Sequence, residues 1–251
     1  MRETLYGRNS IYESLRAGRR EFFRLRIADT IHSGDITNSI LTLAKSRKVP
    51  VESISRHILD SLGGVNHQGI VLDAGPYPYT DLEDILISSR ESQTPPLVLV
   101  LDLVQDPQNL GTLLRTAEAV GVHGIVIQER RAASITPAVT RTSAGAVEHL
   151  AVARVANVAQ TITTLKANNI WVAGLEKVPD AQDYTQANLT GPLAVVVGSE
   201  GNGLRRLVRE RCDFLIDLPM AGKVTSLNAA VAGSVVLYEV LRQRKQHIRD
   251  R

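Results

Sequence analysis

The chain has 251 residues, 43% of them hydrophobic, and its 29 lysines and arginines exceed 26 aspartates and glutamates by a formal +3. That length suits one large domain or two small ones, and so mild a positive balance does not by itself prove a polyanionic partner. One cysteine, Cys212, excludes a disulfide framework and a cysteine-based zinc site and points to a reducing, cytosolic compartment; the start MRETLYGRNSIYESL lacks the apolar core of a signal peptide, and no apolar run reaches membrane-span length.

Gly7-Arg8-Asn9-Ser10 followed by Ile11 and Leu15 predicts a short helix capped by Asn9 or Ser10. A strand is expected over 22–28, a helix over 36–46 and a strand over 49–54, where Pro50 argues for an edge or a strand start. A short helix over 55–62 should end at Gly63-Gly64, and a last strand should run over 65–72. Residues 1–75 thus make a small α/β domain. The proline-rich stretches around Pro76-Tyr77-Pro78 and Pro95-Pro96 mark 76–95 as a linker, with a short helix over 81–89.

From 96 to 251 the pattern alternates strand and helix. Strands are expected at 97–103, 124–127, 150–155, 170–175, 193–197 and 214–218, and helices at 110–120, 137–147, 158–167, 204–211 and 226–244. This predicts a mostly parallel sheet covered on both faces. The valine-rich run 193–197 ends in Gly198-Ser199-Glu200-Gly201-Asn202-Gly203. Ligands of open α/β sheets bind beyond the carboxyl ends of strands, so Gly198 and Glu200 become pocket candidates. The order of these glycines is neither G-x-G-x-x-G nor a P-loop, which argues against dinucleotide and triphosphate sites.

Two further stretches carry candidates. In Asp106-Pro107-Gln108-Asn109-Leu110-Gly111, Asn109 is a possible helix cap, and Arg115 shares a helix face with Gly111, either exposed or aimed over it at a phosphate. In Leu218-Pro219-Met220 and Ser226-Leu227-Asn228, Ser226 is a possible cap of the last helix and has no neighbouring base to make it a nucleophile. His67, His123 and His149 show no metal-ligand spacing, so no metal is expected. Residues 1–26 carry seven arginines against three glutamates, residues 242–251 carry five bases against Asp250, and Arg205, Arg206, Arg209 and Arg211 cluster after the glycine loop. Together these make nucleic acid a candidate partner.

Asn109-Leu110-Gly111 with Arg115, Gly198-Ser199-Glu200-Gly201, and Leu218-Pro219-Met220 with Ser226-Leu227-Asn228 resemble, in order and spacing, the three motifs of SpoU-type (SPOUT superfamily) RNA 2'-O-ribose methyltransferases. Gly7-Arg8-Asn9 and His67-Gln68-Gly69 resemble the L30e-like RNA substrate-binding domain of such enzymes, and the layout looks most like those that methylate a guanosine in 23S ribosomal RNA. The resemblance implies a trefoil-knotted α/β catalytic domain, S-adenosyl-L-methionine as methyl donor, an RNA partner and a homodimer. It implies that the backbone near Gly198, Leu218 and Leu227 holds the donor, with Leu218 and Met220 flanking its base. Arg115 would act at the target hydroxyl and its phosphate, as base or as anchor, with Asn109, Glu200, Asn228 and Ser226 holding it and the ribose. Transfer RNA as substrate, a non-catalytic RNA-binding protein, and a nucleotide-dependent oxidoreductase are the alternatives.

Overall fold

The computed structural model describes residues 2–31, 34–61 and 65–249. The chain forms two compact units, one of residues 1–78 with 135–149, the other of residues 79–134 with 150–251. The division is therefore not a single cut. Residues 135–149, expected with the second domain, belong to the first unit, and part of the expected linker is built into the second.

The first unit starts with β1 (Glu3–Tyr6), α1 (Arg8–Ala17), β2 (Phe22–Ala28), α2 (Asp35–Ser46), β3 (Val51–Ile54), α3 (Arg56–Asp60) and β4 (Ile70–Ala74). Its sheet has the order β1-β4-β2-β3, antiparallel except for the parallel β2–β3 pair. Helices α1 and α2 bury Ile11, Leu15 and Ile40 against Leu5, Leu25, Ile70 and Leu72. Helix α1 begins earlier than the sequence suggests: Gly7, at φ 89°, is the cap, two residues before Asn9 and three before Ser10. Strand β3 starts directly after Pro50 and pairs only with β2, as an edge strand should. The strand expected over 65–72 is cut back to Ile70 because Gln68 (φ 56°) and Gly69 (φ 81°) leave extended geometry. The helix end expected at Leu62-Gly63-Gly64 lies outside the described residues.

The chain continues through α4 (Leu82–Glu91), β5 (Leu97–Leu101), α5 (Pro107–Ala119) and β6 (Gly124–Gln128). It then returns to the first unit as α6 (Pro137–Thr142) and a 3-10 turn, Ala146–His149. The single helix expected over 137–147 is broken by left-handed Ala144 and Gly145. The second unit resumes with β7 (Val152–Val155), α7 (Val158–Ala167), β8 (Trp171–Leu175), β9 (Gln182–Asp183), β10 (Leu193–Val197), α8 (Arg206–Arg211), β11 (Phe214–Asp217) and α9 (Ala229–Arg249). Helix α4 is no loose linker, since Ile85 and Leu86 sit in the core with Val98 and Val126.

These strands form a seven-stranded sheet of order β7-β6-β5-β10-β8-β11-β9, every adjacent pair parallel. The two most apolar strands, β5 and β10, lie side by side, and every residue of both is buried. That is why they read as continuous hydrophobic runs rather than alternating ones. A parallel sheet puts all its strand C-termini on one edge, where a ligand site can form.

Within the first unit, Arg20 and Glu148 form an ion pair with neither side chain exposed. The Arg20 guanidinium reaches the Glu148 carboxylate at 2.8 Å, Glu3 at 2.7 Å and the Gly75 carbonyl at 3.1 Å. Burial works to lower the Arg20 pKa, but the hydrogen bonds and charge of Glu148 and Glu3 outweigh it, so the net shift is upward. The pair ties residues 135–149 to the fold of residues 1–78.

Candidate active site

Strand β10 ends at Val197, and from Gly198 the chain folds straight back on itself. Ser199 and Gly203 exchange two backbone hydrogen bonds, at 3.1 and 3.0 Å, and Gly201 and Gly203 take positive φ. The glycine at 198 is required by this loop itself. A Cβ there would lie 2.3 Å from the Gly203 carbonyl and 2.6 Å from the Leu204 nitrogen, both backbone atoms that cannot rotate away. Gly198→Ala is expected to destabilise the protein by about 1–3 kcal/mol through overpacking. It should also open the 199–203 turn, seen as a lower melting temperature and faster hydrogen exchange at the Gly203 amide; exchange at the wild-type rate would contradict this account.

Under the loop stands Glu176, at the end of β8. Its carboxylate accepts the Leu204 N–H at 2.7 Å. Beside the loop, fully buried Asp102 at the end of β5 accepts the Arg205 backbone N–H at 2.9 Å and its Nε at 2.8 Å. The loop is thus fixed from two neighbouring strands, and Glu200 is presented from a rigid frame.

Glu200 meets the two other motifs. Asn109 Nδ2 donates to its Oε2 at 3.0 Å, and Asn228 Nδ2 lies 3.4 Å from its Oε1. Asn228 also donates to Asn109 Oδ1 at 2.8 Å, which closes a three-residue network. The helix caps set how these side chains are placed. Asp106, and not Asn109, caps α5 by accepting the Gln108 and Asn109 amides. Asn228, and not Ser226, caps α9, its Oδ1 accepting the Ala230 and Val231 amides at 2.9 and 3.2 Å. The asparagine is therefore held at both ends of its amide.

A cavity of about 490 Å³ opens beside this network. Gly198, Glu200, Leu218, Met220, Ser226, Leu227 and Asn228 line it. Asn109 touches the site through its hydrogen bonds, while Arg115 is not among the lining residues. Arg115 stands on α5, exposed, and makes no hydrogen bond or ion pair among the described residues. The lining also contains Glu176 and Lys177, which the sequence alone did not single out. Lys177 Nζ donates to the Thr225 carbonyl at 3.2 Å and so ties the 218–228 segment to the end of β8. Their signal was a charged pair directly after a predicted strand, and it carried no motif.

Charge clusters counted along the sequence prove to be partly internal. Arg205 is spent on Asp102, Arg211 on the Ala159 carbonyl and Thr163, and Arg24 and Arg26 on Asp73. Arg244 donates to the carbonyls of Pro95, Pro96 and Gly191, and its burial lowers its pKa to about 10. Cys212 is equally unreactive, since burial first and then the Asp213 charge push its thiol up to about 12. Among the described residues no cluster of three metal-ligating side chains occurs, and no helix is long and apolar enough to cross a membrane.

The sequence of residues 96–238 matches the model of the SpoU rRNA methylase family, and residues 4–80 match that of the RNA 2'-O ribose methyltransferase substrate-binding domain. YacO of Bacillus subtilis, whose name places it among TrmH family tRNA/rRNA methyltransferases, is 43% identical over 238 residues, covering 95% of this chain and 94% of its own. Among solved structures, the SpoU methyltransferase AviRb from Streptomyces viridochromogenes, in complex with AdoMet, is similar with a TM-score of 0.80 at 24% identity. That likeness covers 98% of this chain and 91% of AviRb. An RNA 2'-O ribose methyltransferase structure is similar with a TM-score of 0.76 at 25% identity, over 97% of this chain and 89% of its own.

Proposed function

The chain belongs to the SpoU/TrmH family of RNA methyltransferases, and from that premise we propose that it methylates a ribose 2'-hydroxyl of RNA, a guanosine of 23S ribosomal RNA, with S-adenosyl-L-methionine as donor. The observation that carries this reading is the Asn109–Glu200–Asn228 network set against the cavity at the sheet's C-terminal edge. The cavity suits a nucleoside-sized donor. Its volume lies in the range of small-molecule sites, and Leu218, Met220 and Leu227 offer apolar surface for a purine beside the backbone of Gly198. When bound, the donor's sulfonium supplies a methyl group already activated for transfer.

The protein's share is orientation. Glu200, locked by two amides, presents a fixed acceptor to the ribose, and Asn109 and Asn228 hold it at one angle. Ser226 adds a hydroxyl at the cavity mouth. Arg115, with no partner among the described residues, anchors the phosphate beside the target ribose through its guanidinium fork. Holding oxygen, methyl and sulfur in line can supply several kcal/mol of the barrier reduction, up to roughly 7–11 in the best oriented systems. Residues 1–75 serve in this reading as the RNA-binding domain, which the match of residues 4–80 supports.

The same reading includes a trefoil knot and a homodimer. The late strand β10 lies between β5 and β8, and residues of the 199–203 and 218–228 segments line the same cavity, which is compatible with the threading that reading includes. Helix α9 carries an exposed apolar row, Val231, Val235 and Tyr238, continued backward by Leu227. Spacings of four and three residues put Val231, Val235 and Tyr238 on one helix face. Such a row fits the same face of a second copy about a two-fold axis. Val235→Glu is expected to shift the protein from dimer to monomer in sedimentation; an unchanged mass would remove α9 from the interface.

The direct test is methyl incorporation. With labelled donor, in-vitro-transcribed 23S ribosomal RNA should take up label at a guanosine 2'-oxygen. Label in transfer RNA alone would change the substrate, and label in a base or in neither RNA would refute 2'-O methylation of RNA.

A further inference from the structure

Beyond the cavity, the loop that follows β6 is held in a costly shape. Arg131 sits at φ 62° and Leu103, on the loop that follows β5, at φ 60°, both without being glycine. A side chain with a Cβ avoids that region, and residues kept there against the cost cluster at working sites. Two hydrogen bonds keep the loops together: Gln105 Nε2 donates to the Arg131 carbonyl at 2.9 Å, and the Ala133 amide donates to the Val104 carbonyl at 2.9 Å.

What this arrangement displays is a cation. The Arg131 side chain is exposed and makes no hydrogen bond or ion pair among the described residues. The nearest carboxylate in sequence, Glu129, is taken by Arg154 at 3.5 Å. The position is favourable as well. Strand β5 lies between β6 and β10, so the loops leaving β6 and β10 start about 10 Å apart on the edge that carries Glu200. An arginine side chain together with the neighbouring nucleotide of an RNA strand can bridge such a gap.

We propose that Arg131 is a second phosphate contact, holding the RNA backbone beside the target nucleotide, and that Gln105 is the positioning residue that sets it there. The proposal rests on the RNA methyltransferase reading and adds to it a contact outside the three motifs.

Binding of in-vitro-transcribed 23S ribosomal RNA and of a transfer-RNA transcript, measured across salt concentrations, tests it. Arg131→Gln should weaken binding of the better of the two by on the order of tenfold and lower the salt slope by about 0.7, with donor affinity measured by calorimetry unchanged. Arg131→Gly, which relieves the left-handed backbone, should lose the same RNA affinity with a melting temperature no lower than wild type. Gln105→Ala should weaken RNA binding while Arg131 is present and have no further effect on Arg131→Gln. Wild-type RNA binding that Arg131→Gln leaves intact in affinity and salt slope overturns the proposal alone. A wild-type protein that binds neither RNA overturns it together with the reading beneath it.

Discussion

Arg115→Ala should lower methyl transfer to RNA by about 10²–10³-fold, the size seen when a fixed charge-stabilising donor is removed from an active site. Arg115 is exposed and bonded to nothing among the described residues, so its loss should shift stability by no more than about 0.5 kcal/mol. Binding of S-adenosylmethionine should also persist, because Arg115 does not line the cavity. Arg115→Lys keeps the charge and loses the planar fork, and should recover only a small part of the activity. The three readouts are methyl incorporation, calorimetric donor binding and thermal unfolding. Wild-type turnover in Arg115→Ala would remove the residue from the site, whereas lost donor binding would make its role cofactor retention.

The largest effect on stability should come from Arg20→Met. It leaves the Glu148 carboxylate buried with no cationic partner, a change that costs about 3–5 kcal/mol, against roughly 5–15 kcal/mol for a whole domain. Replacing both partners, Arg20→Met with Glu148→Met, should restore much of the loss, because the buried charge goes with its partner. Urea unfolding followed by circular dichroism measures both variants. A single variant within 1 kcal/mol of wild type, on the scale of an exposed pair, would show that the ion pair does not hold residues 135–149 in the first unit.

The network around Glu200 joins these two levels. Its members come from α5, the β10 loop and the start of α9: Asn109 is free for it because Asp106 caps α5, Glu200 is set by a loop that turns without a Cβ at 198, and Asn228 caps α9 with its oxygen while its amide nitrogen donates to the network. Gly233 illustrates the tolerance involved: a Cβ there would come within 2.7 Å of Leu113 on α5, so α9 reaches α5 and β10 only across a glycine.

Much of this was legible in the amino-acid order. Continuous apolar runs such as 97–101 and 193–197 specify strands buried on both faces, and helical periods between them specify the parallel α/β layout, because burial pattern is a local property of the chain. The motif residues Asn109, Glu200 and Asn228 were identifiable too, but as separate short stretches far apart in sequence. Which residue caps which helix, Asp106 or Asn109, Asn228 or Ser226, depends on angles that several polar residues near a helix start satisfy equally well on paper. Membership of the first unit by residues 135–149 depends on contacts between distant segments, among them the buried pairing of Arg20 with Glu148, 128 positions apart. The need for glycine at 198 comes from the returning backbone of Gly203. Propensity and periodicity act over a few residues and are written in the sequence; buried ion pairs, caps and backbone collisions exist only once distant segments have been brought together, and the tertiary structure alone decides them.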